Sequence, residues 1–182
     1  MDSVNQKHGG KGMIEKFCSA DKMDSKWDVS IPFVVDKYLY ATDGKIIVRI
    51  PKRIGDEPRD RFPDPLGLAW DHDSDFHEWV DPPLSSKEIQ NTLQQTIPEC
   101  TECEEWTKDG LKCPHCFGTG KDLDDQNYNG IQWKDRIVNL KYLYLIDWQL
   151  KNVKFSIFKD NSGKCPIRFK FKNGQGLLMP MR

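Results

Sequence analysis

The sequence predicts a small α+β domain in which an antiparallel sheet carries two helices on one face, with a four-cysteine segment inserted before the second helix. Three observations support this fold class. Segments rich in β-branched and aromatic residues lie towards both ends of the chain, two stretches between them carry apolar residues at helical spacing, and two Cys-x-x-Cys pairs lie close together. The 182 residues are enough for one ordinary domain with an insertion.

The first part of the chain passes from a polar tail to short strands. Residues 1–12 are polar and rich in glycine, which predicts a flexible tail without the apolar segment of a secretory signal. Apolar residues within 13–17 then indicate one short amphipathic helix. Between residues 31 and 51, β-branched and aromatic runs are separated by the turn signals Asp36-Lys37 and Asp43-Gly44, which predict two or three antiparallel strands.

A proline-rich loop and the first main helix follow. Residues 52–84 contain five prolines, and this stretch is predicted to be loop because proline cannot donate to a β-ladder. Residues 85–88, Ser-Ser-Lys-Glu, have the pattern of a helix start with a capping box. Ile89, Leu93 and Ile97 then share one helical face, and the helix ends at a proline.

The last part predicts a second helix and three strands. Residues 140–150 form the helix, with Leu140, Leu143 and Ile146 on its buried side. The strands are expected at 153–158, 166–172 and 177–182. Asn173-Gly174 is the strongest hairpin signal in the chain.

Residues 98–121 interrupt the α+β domain, whose two parts are 13–97 and 122–182. The insertion carries two Cys-x2-Cys pairs separated by nine residues: Cys100, Cys103, Cys113 and Cys116. Two such knuckles can supply a tetrahedral set of thiolates that leaves no position for water, which is the ligand set of structural zinc. The spacing therefore predicts one structural Zn²⁺, which would replace the core that so short a segment cannot build.

Two other interpretations of the cysteines are open. The pairs could stay reduced without a metal, or they could form a disulfide relay, although neither pair is followed by a helix as in thioredoxin-like sites. Residues 113–120 also resemble one CxxCxGxG repeat of the DnaJ cysteine-rich domain, a family that carries four such repeats. This likeness implies the geometry of a zinc knuckle and does not imply chaperone activity.

Basic residues alternate with apolar ones near the C-terminus. Lys154, Arg168, Lys170 and Lys172 are predicted to share a sheet face, with Ile167, Phe169 and Phe171 on the opposite face. This face is either a solvated outer surface or a patch for the nucleic-acid backbone, whose binding would depend steeply on salt.

The chain shows no recognised catalytic pattern. The acidic and histidine-containing segment 71–78 is interpreted as a solvated loop, with a divalent-metal site as the alternative. A phosphate-binding loop, a nucleophile elbow, an HExxH sequence and a dinucleotide fingerprint are all missing from the sequence. We therefore expect a protein that is not an enzyme.

Net charge and hydropathy bear on the cellular location of the protein, but they do not identify a partner. The formal net charge is −1, and no apolar run approaches the length of a membrane span. With no secretory signal and with clustered cysteines, the expectation is a cytoplasmic protein without a membrane partner.

Residues 38–45 and 177–182 are two short stretches that resemble the bacterial DNA polymerase sliding clamp, the β subunit of the replicative polymerase. Residues 38–45, Tyr-Leu-Tyr-Ala-Thr-Asp-Gly-Lys, are similar to the "ATDGHR" hairpin of the middle clamp domain. Residues 177–182, Leu-Leu-Met-Pro-Met-Arg, are similar to the terminal "VVMPMRL" of that family. The likeness covers about 70 residues in two blocks, 33–51 and 136–182, and implies the fold of one clamp domain.

In clamps these two motifs line an apolar groove that receives short linear motifs of polymerases and other partners. The resemblance therefore implies a peptide groove formed by Thr42, Gly44, Leu177, Leu178, Met179, Pro180 and Met181. The expected function is that of a non-enzymatic DNA-replication accessory module, which binds replication or repair proteins carrying clamp-binding motifs or assembles on DNA.

The chain departs from clamps in several respects. A clamp subunit has three such domains and two subunits close the ring, so a ring of this protein would be a homo-oligomer of about six copies. Clamp grooves also draw on two adjacent domains, and the predicted helices here are barely basic. The alternative function is a nucleic-acid-binding zinc-ribbon protein with an unrelated β fold, such as a phage or mobile-element regulator.

Overall fold

The computed structural model describes residues 11–19, 28–56, 62–68, 70, 76, 78–103, 113, 116, 118–123, 130–159 and 165–181. The helices are α1 (Lys11–Ile14, extended by a 3₁₀ turn at Glu15–Phe17), α2 (Ser86–Thr96) and α3 (Leu140–Gln149). The strands are β1 (Phe33–Val35), β2 (Tyr38–Thr42), β3 (Ile46–Pro51), β4 (Gly130–Trp133), β5 (Arg136–Asn139), β6 (Lys154–Ile157), β7 (Ile167–Phe171) and β8 (Gly174–Leu178).

Six strands form one fully antiparallel sheet in the order β1-β2-β3-β8-β7-β6. Two three-stranded meanders, β1-β2-β3 and β6-β7-β8, are joined by the pairing of their last strands, with Val48 opposite Gly176. The predicted α+β class with an antiparallel sheet is therefore confirmed. Each strand alternates its side chains between two faces, and these faces have different coverings.

One face of the sheet carries α1, α2 and α3 over the main core. Side chains such as Leu39, Val48 and Phe169 are buried there against Leu93 of α2 and Leu143 of α3. The capping box predicted for α2 is present, because the Ser85 hydroxyl accepts from the N–H of Glu88 while the Glu88 carboxylate accepts from the N–H of Ser85.

Helix α3 is more deeply buried than its sequence pattern predicted. The expected buried side chains are buried, but so are Tyr142, Tyr144 and Leu145 between them. A two-stranded ribbon, β4–β5, accounts for part of this covering, since its Val138 belongs to the same core and Trp133 meets Phe155 edge-to-face at 5.5 Å between centroids. This ribbon was not predicted.

The other face of the sheet is covered by the proline-rich segment after β3. Phe33, Tyr40 and Leu177 are buried there with Trp70, and the Trp70 indole N–H donates to the carbonyl oxygen of Pro65 at 2.8 Å. Further along, Val80 forms a β-bridge with Phe155. The described parts of this segment, which was predicted to be loop, thus form a second covering layer of the sheet.

Three element boundaries differ from those predicted. The last strand was expected at 177–182, but it begins at Gly174, directly after a turn at Lys172 and Asn173, and ends at Leu178. Pro180 has no N–H with which to continue the ladder. At the other end, α1 begins within the predicted tail 1–12, of which residues 1–10 lie outside the described part of the chain.

Candidate functional site

Four cysteine side chains converge in the insertion. The sulfur atoms of Cys100, Cys103, Cys113 and Cys116 all lie within 4.8 Å of one another. The Sγ atoms are 3.9 Å apart between Cys100 and Cys113, and 3.4 Å apart between Cys103 and Cys116. All four are free thiols, so this cluster can hold one metal ion with each residue giving one ligand atom.

The base of the insertion is closed by backbone and side-chain contacts. Glu99 forms a β-bridge with Lys121, and their side chains form an ion pair at 2.6 Å. The N–H of Cys100 donates to the carbonyl oxygen of Gly120 at 2.8 Å. Gly118 and Gly120 have φ of +83° and +75°, a left-handed conformation that glycine adopts without steric cost. The Gly-x-Gly after the second pair therefore turns the chain back beneath the cluster.

The thiols of the cluster differ in pKa. Burial raises the pKa of Cys116, but backbone N–H groups of Gly120 and Gly118 and the thiol of Cys103 outweigh it and bring the pKa to about 7. The neighbouring Cys116 sulfur, ahead of burial, raises the pKa of Cys103 to about 12. A cation at the centre would stabilise the deprotonated form of these sulfurs, because the thiolate is the form that binds a metal.

The predicted peptide groove begins at the β2–β3 turn. The Asp43 carboxylate accepts from the N–H groups of Lys45 and Ile46, and the Thr42 hydroxyl donates to the Ile46 carbonyl at 2.6 Å. Gly44 has φ of +89° and donates its N–H to the Thr42 hydroxyl. These contacts make a rigid hairpin tip, which the chain following β8 then joins.

A cavity of about 370 Å³ lies between this tip and the end of β8. Four of the predicted groove residues line it, namely Thr42, Gly44, Leu177 and Met179. The remaining lining residues are Val29, Asp43, Lys45, Ile46, Ile47, Pro63, Asp64, Pro65, Leu68 and Pro166. The lining is thus mostly apolar, and Met179 is 43% exposed at its edge. Pro63 and Pro65 were missed as wall residues because the proline-rich segment was interpreted simply as loop.

The structure places three predicted groove residues elsewhere. Leu178 is fully buried in the core on the helix side, since it follows Leu177 on a strand whose side chains alternate. Met181 donates its N–H to the Ile137 carbonyl, and its sulfur lies near Gly130 of the β4–β5 ribbon. Pro180 does not line the cavity either.

The predicted basic face is not a continuous solvated surface. Arg168 is 3% exposed, donates to the Trp70 carbonyl oxygen and lies over the rings of Phe76 and Trp79. Arg168 is therefore not available for the contact with nucleic acid that the sequence predicted. Lys170 is exposed, with its ammonium 4.3 Å from the Trp79 ring centroid.

The other two basic residues lie near the same end of the β6–β7 pair, where the N–H of Lys172 donates to the carbonyl oxygen of Lys151. Lys154 is opposite Lys170 in the sheet and pairs with Asp81 at 2.6 Å. Lys172 lies in the β7–β8 turn at the end of the sheet. Of the acidic segment 71–78, the described residues are Phe76, which is buried, and Glu78, which is exposed. The rest of the segment lies outside the described residues.

Comparison with known proteins adds no relative. No protein-family model matches the chain, and no significant match was found among curated proteins or solved structures. The resemblances to a sliding clamp and to a DnaJ repeat therefore stay predictions. In the part of the chain that the structure describes, no helix has the length and apolar character needed to cross a membrane.

Proposed function

We propose that this protein is a non-enzymatic accessory module of DNA replication that binds short linear peptides of the kind received by sliding clamps. The observation that carries the proposal is the mostly apolar groove of about 370 Å³ between the β2–β3 turn and the end of β8. Thr42 to Lys45, from the first stretch that resembles a clamp motif, and Leu177 with Met179, from the second, line this groove together although they are far apart in sequence.

The groove suits a peptide with two large apolar side chains. Its volume lies at the small end of the range for ligand sites, and its polar groups are few. Met179 provides a flexible and polarizable wall, which lets one site accept different apolar anchors. The charged lining residues are Asp43, Lys45 and Asp64, and the Asp43 carboxylate already accepts hydrogen bonds from the hairpin backbone and from Tyr142. The apolar anchors rather than net charge would therefore select the ligand.

We further propose that the metal of the four-cysteine cluster is zinc. Four thiolates at a Zn–S distance of about 2.3 Å would place their sulfurs about 3.8 Å apart in a tetrahedron. The separations of 3.9 Å and 3.4 Å in the cluster support that arrangement. Bound zinc would supply the stability that this segment lacks in apolar core, and no ligand position would remain for a reacting water.

Binding of a labelled peptide tests the groove directly. A fluorescein-labelled peptide with adjacent Leu and Phe anchors is titrated with the protein, and fluorescence anisotropy is measured. The same peptide with both anchors replaced by alanine is the control. We expect saturable binding of the first peptide and none of the second. Equal binding of both peptides, or of neither, would contradict the proposal.

Solution mass tests whether the module also assembles into a ring. Light scattering on a sizing column is measured with and without circular DNA. A monomer of 21.2 kDa under both conditions would exclude encirclement of DNA and leave a peptide-binding module. A mass near six copies, retained on circular DNA, would support a ring.

A further inference from the structure

A second cavity, of about 660 Å³, lies at the opposite end of the central strands from the peptide groove. It is lined by Met13, Tyr38, Arg49, Ile50, Pro51, Lys52, Arg53, Lys172, Asn173, Gly174 and Gln175. Four of these residues are cations, and none of the described lining residues is a carboxylate. Such a concentration of one charge is local, because the whole chain has a formal net charge of −1.

The cations reach the cavity from two separate pieces of backbone. Arg49 lies within β3, Lys52 and Arg53 follow directly after β3, and Lys172 lies in the β7–β8 turn. Close packing of β3 against β8 brings the turn to this place. A Cβ on Gly174 would lie 2.2 Å from the Arg49 carbonyl oxygen, so glycine is required for this approach.

Arg49 differs from the other three cations in being fixed. It is 5% exposed, donates to the Gln175 side chain at 3.0 Å and lies between the rings of Tyr38 and Trp70, at 4.4 and 4.2 Å from their centroids. The side chains of Lys52 and Lys172 are exposed and form no ion pair with a described residue. The cavity thus combines a buried guanidinium that is held in place by its neighbours with exposed ammonium groups.

The geometry points to the phosphate backbone of a nucleic-acid strand as the ligand of this cavity. Arginine and lysine are the residues that contact phosphates, and 660 Å³ is far more than one phosphate needs. The Tyr38 ring also lines the cavity, and aromatic rings next to cations are the usual platform for unpaired bases. This site shares only Lys172 with the basic face predicted from the sequence, and it does not depend on the peptide groove.

Anisotropy of a fluorescein-labelled oligothymidylate tests the assignment. Binding is measured between about 50 and 200 mM salt for the wild type and for the Lys52→Gln, Lys172→Gln double variant. The matched control is Lys87→Gln with Lys134→Gln, which removes two exposed lysines elsewhere and gives the same net charge. Thermal melting by circular dichroism checks that both variants fold, and the apolar peptide is titrated in parallel.

We expect the pocket variant to bind the oligonucleotide several-fold more weakly, with a salt slope reduced by about 0.7 for each lost phosphate contact. The control variant should bind like the wild type, and both variants should retain peptide binding. Equal loss in both variants, or no binding by the wild type, would overturn the assignment. Binding of ATP without binding of the oligonucleotide would also overturn it, because the pocket would then take free phosphates instead of a strand.

Discussion

The N–H of Met179 donates to the carbonyl oxygen of Lys45 at 2.9 Å, which attaches the chain after β8 to the tip of the β2–β3 hairpin. This backbone contact fixes the Met179 side chain at the groove edge without involving the side chain itself. The side chain can therefore be changed while the wall that carries it stays in place.

Replacing Met179 by alanine should weaken binding of the Leu-Phe peptide about tenfold, or about 1.4 kcal/mol, because the exposed thioether is a wall of the groove. Stability to urea should change little. The matched control is Met181→Ala, since Met181 lies beside the β4–β5 ribbon instead. The anisotropy titration compares both variants, and an equal effect of the two would refute the assigned wall.

Removing the metal should destabilise the insertion. Each chain should carry one zinc ion by mass spectrometry of the metal content, and a strong chelator should lower the melting temperature. Cys116→Ser should lose the ion because its sulfur is one of the four converging ligands. Cys165→Ser should keep the ion, as Cys165 lies outside the cluster. A melting profile that is indifferent to chelation would disprove a structural role for the metal.

The hydroxyl of Tyr142 should stabilise the groove through its hydrogen bond to Asp43. This buried side chain of α3 donates to the Asp43 carboxylate at 2.6 Å, and Asp43 in turn holds the hairpin tip. Tyr142→Phe should therefore cost about 1.5 kcal/mol in the free energy of unfolding and should also weaken peptide binding. Tyr144→Phe is the control, because the Tyr144 hydroxyl forms no hydrogen bond with a described residue. Urea unfolding that ranks the two variants equally would contradict the prediction.

The capping box of α2 should make stability depend on acid. The Ser85 hydroxyl, followed by its backbone N–H, holds the pKa of Glu88 below the ordinary value of 4.5. A lowered pKa means that this contribution is complete above 4.5 and is lost as the pH falls through the lower pKa of the folded state. Ser85→Ala should cost about 1 kcal/mol near neutral pH. The difference between wild type and variant, measured by urea unfolding, should shrink in acid, and a constant difference would argue against the box.

Gly176 should not tolerate a side chain. A Cβ there would lie 2.0 Å from the ring of Phe169, which is buried against Phe155 at 5.8 Å between centroids and has no room to move. Gly176→Ala should therefore destabilise the fold by about 1–3 kcal/mol. Gly12→Ala in α1 meets nothing within 4 Å and should be neutral or stabilising, as alanine favours helix. Thermal melting compares the two variants.

Periodicity predicted elements well where one principle decides the structure. The spacing of Ile89, Leu93 and Ile97 gave the place of α2 because a helix with one apolar stripe has one way to bury it. The paired cysteines likewise indicated their convergence, since four sulfurs around an ion constrain the chain more strongly than any local preference.

Periodicity failed where distant segments decide burial. The alternation around Arg168 separates the two sheet faces correctly, but it cannot show that an irregular segment covers the polar face and buries the guanidinium among aromatic rings. The same covering segment supplies Pro63 and Pro65 to the groove wall. The β4–β5 ribbon was missed because Lys134 and Asp135 at its turn lack the usual glycine signal, although Lys134 adopts φ of +55°.

The junction of the two meanders has a consequence for how the chain folds. Each meander consists of neighbours in sequence and can form early, whereas β3 and β8 meet through residues such as Arg49 and Gln175, which are 126 positions apart. The search for this one long-range pairing should limit the refolding rate. The cysteine insertion lies within the connecting chain, so a bound ion that draws Cys100 to Cys116 shortens the effective loop and should speed the closing step.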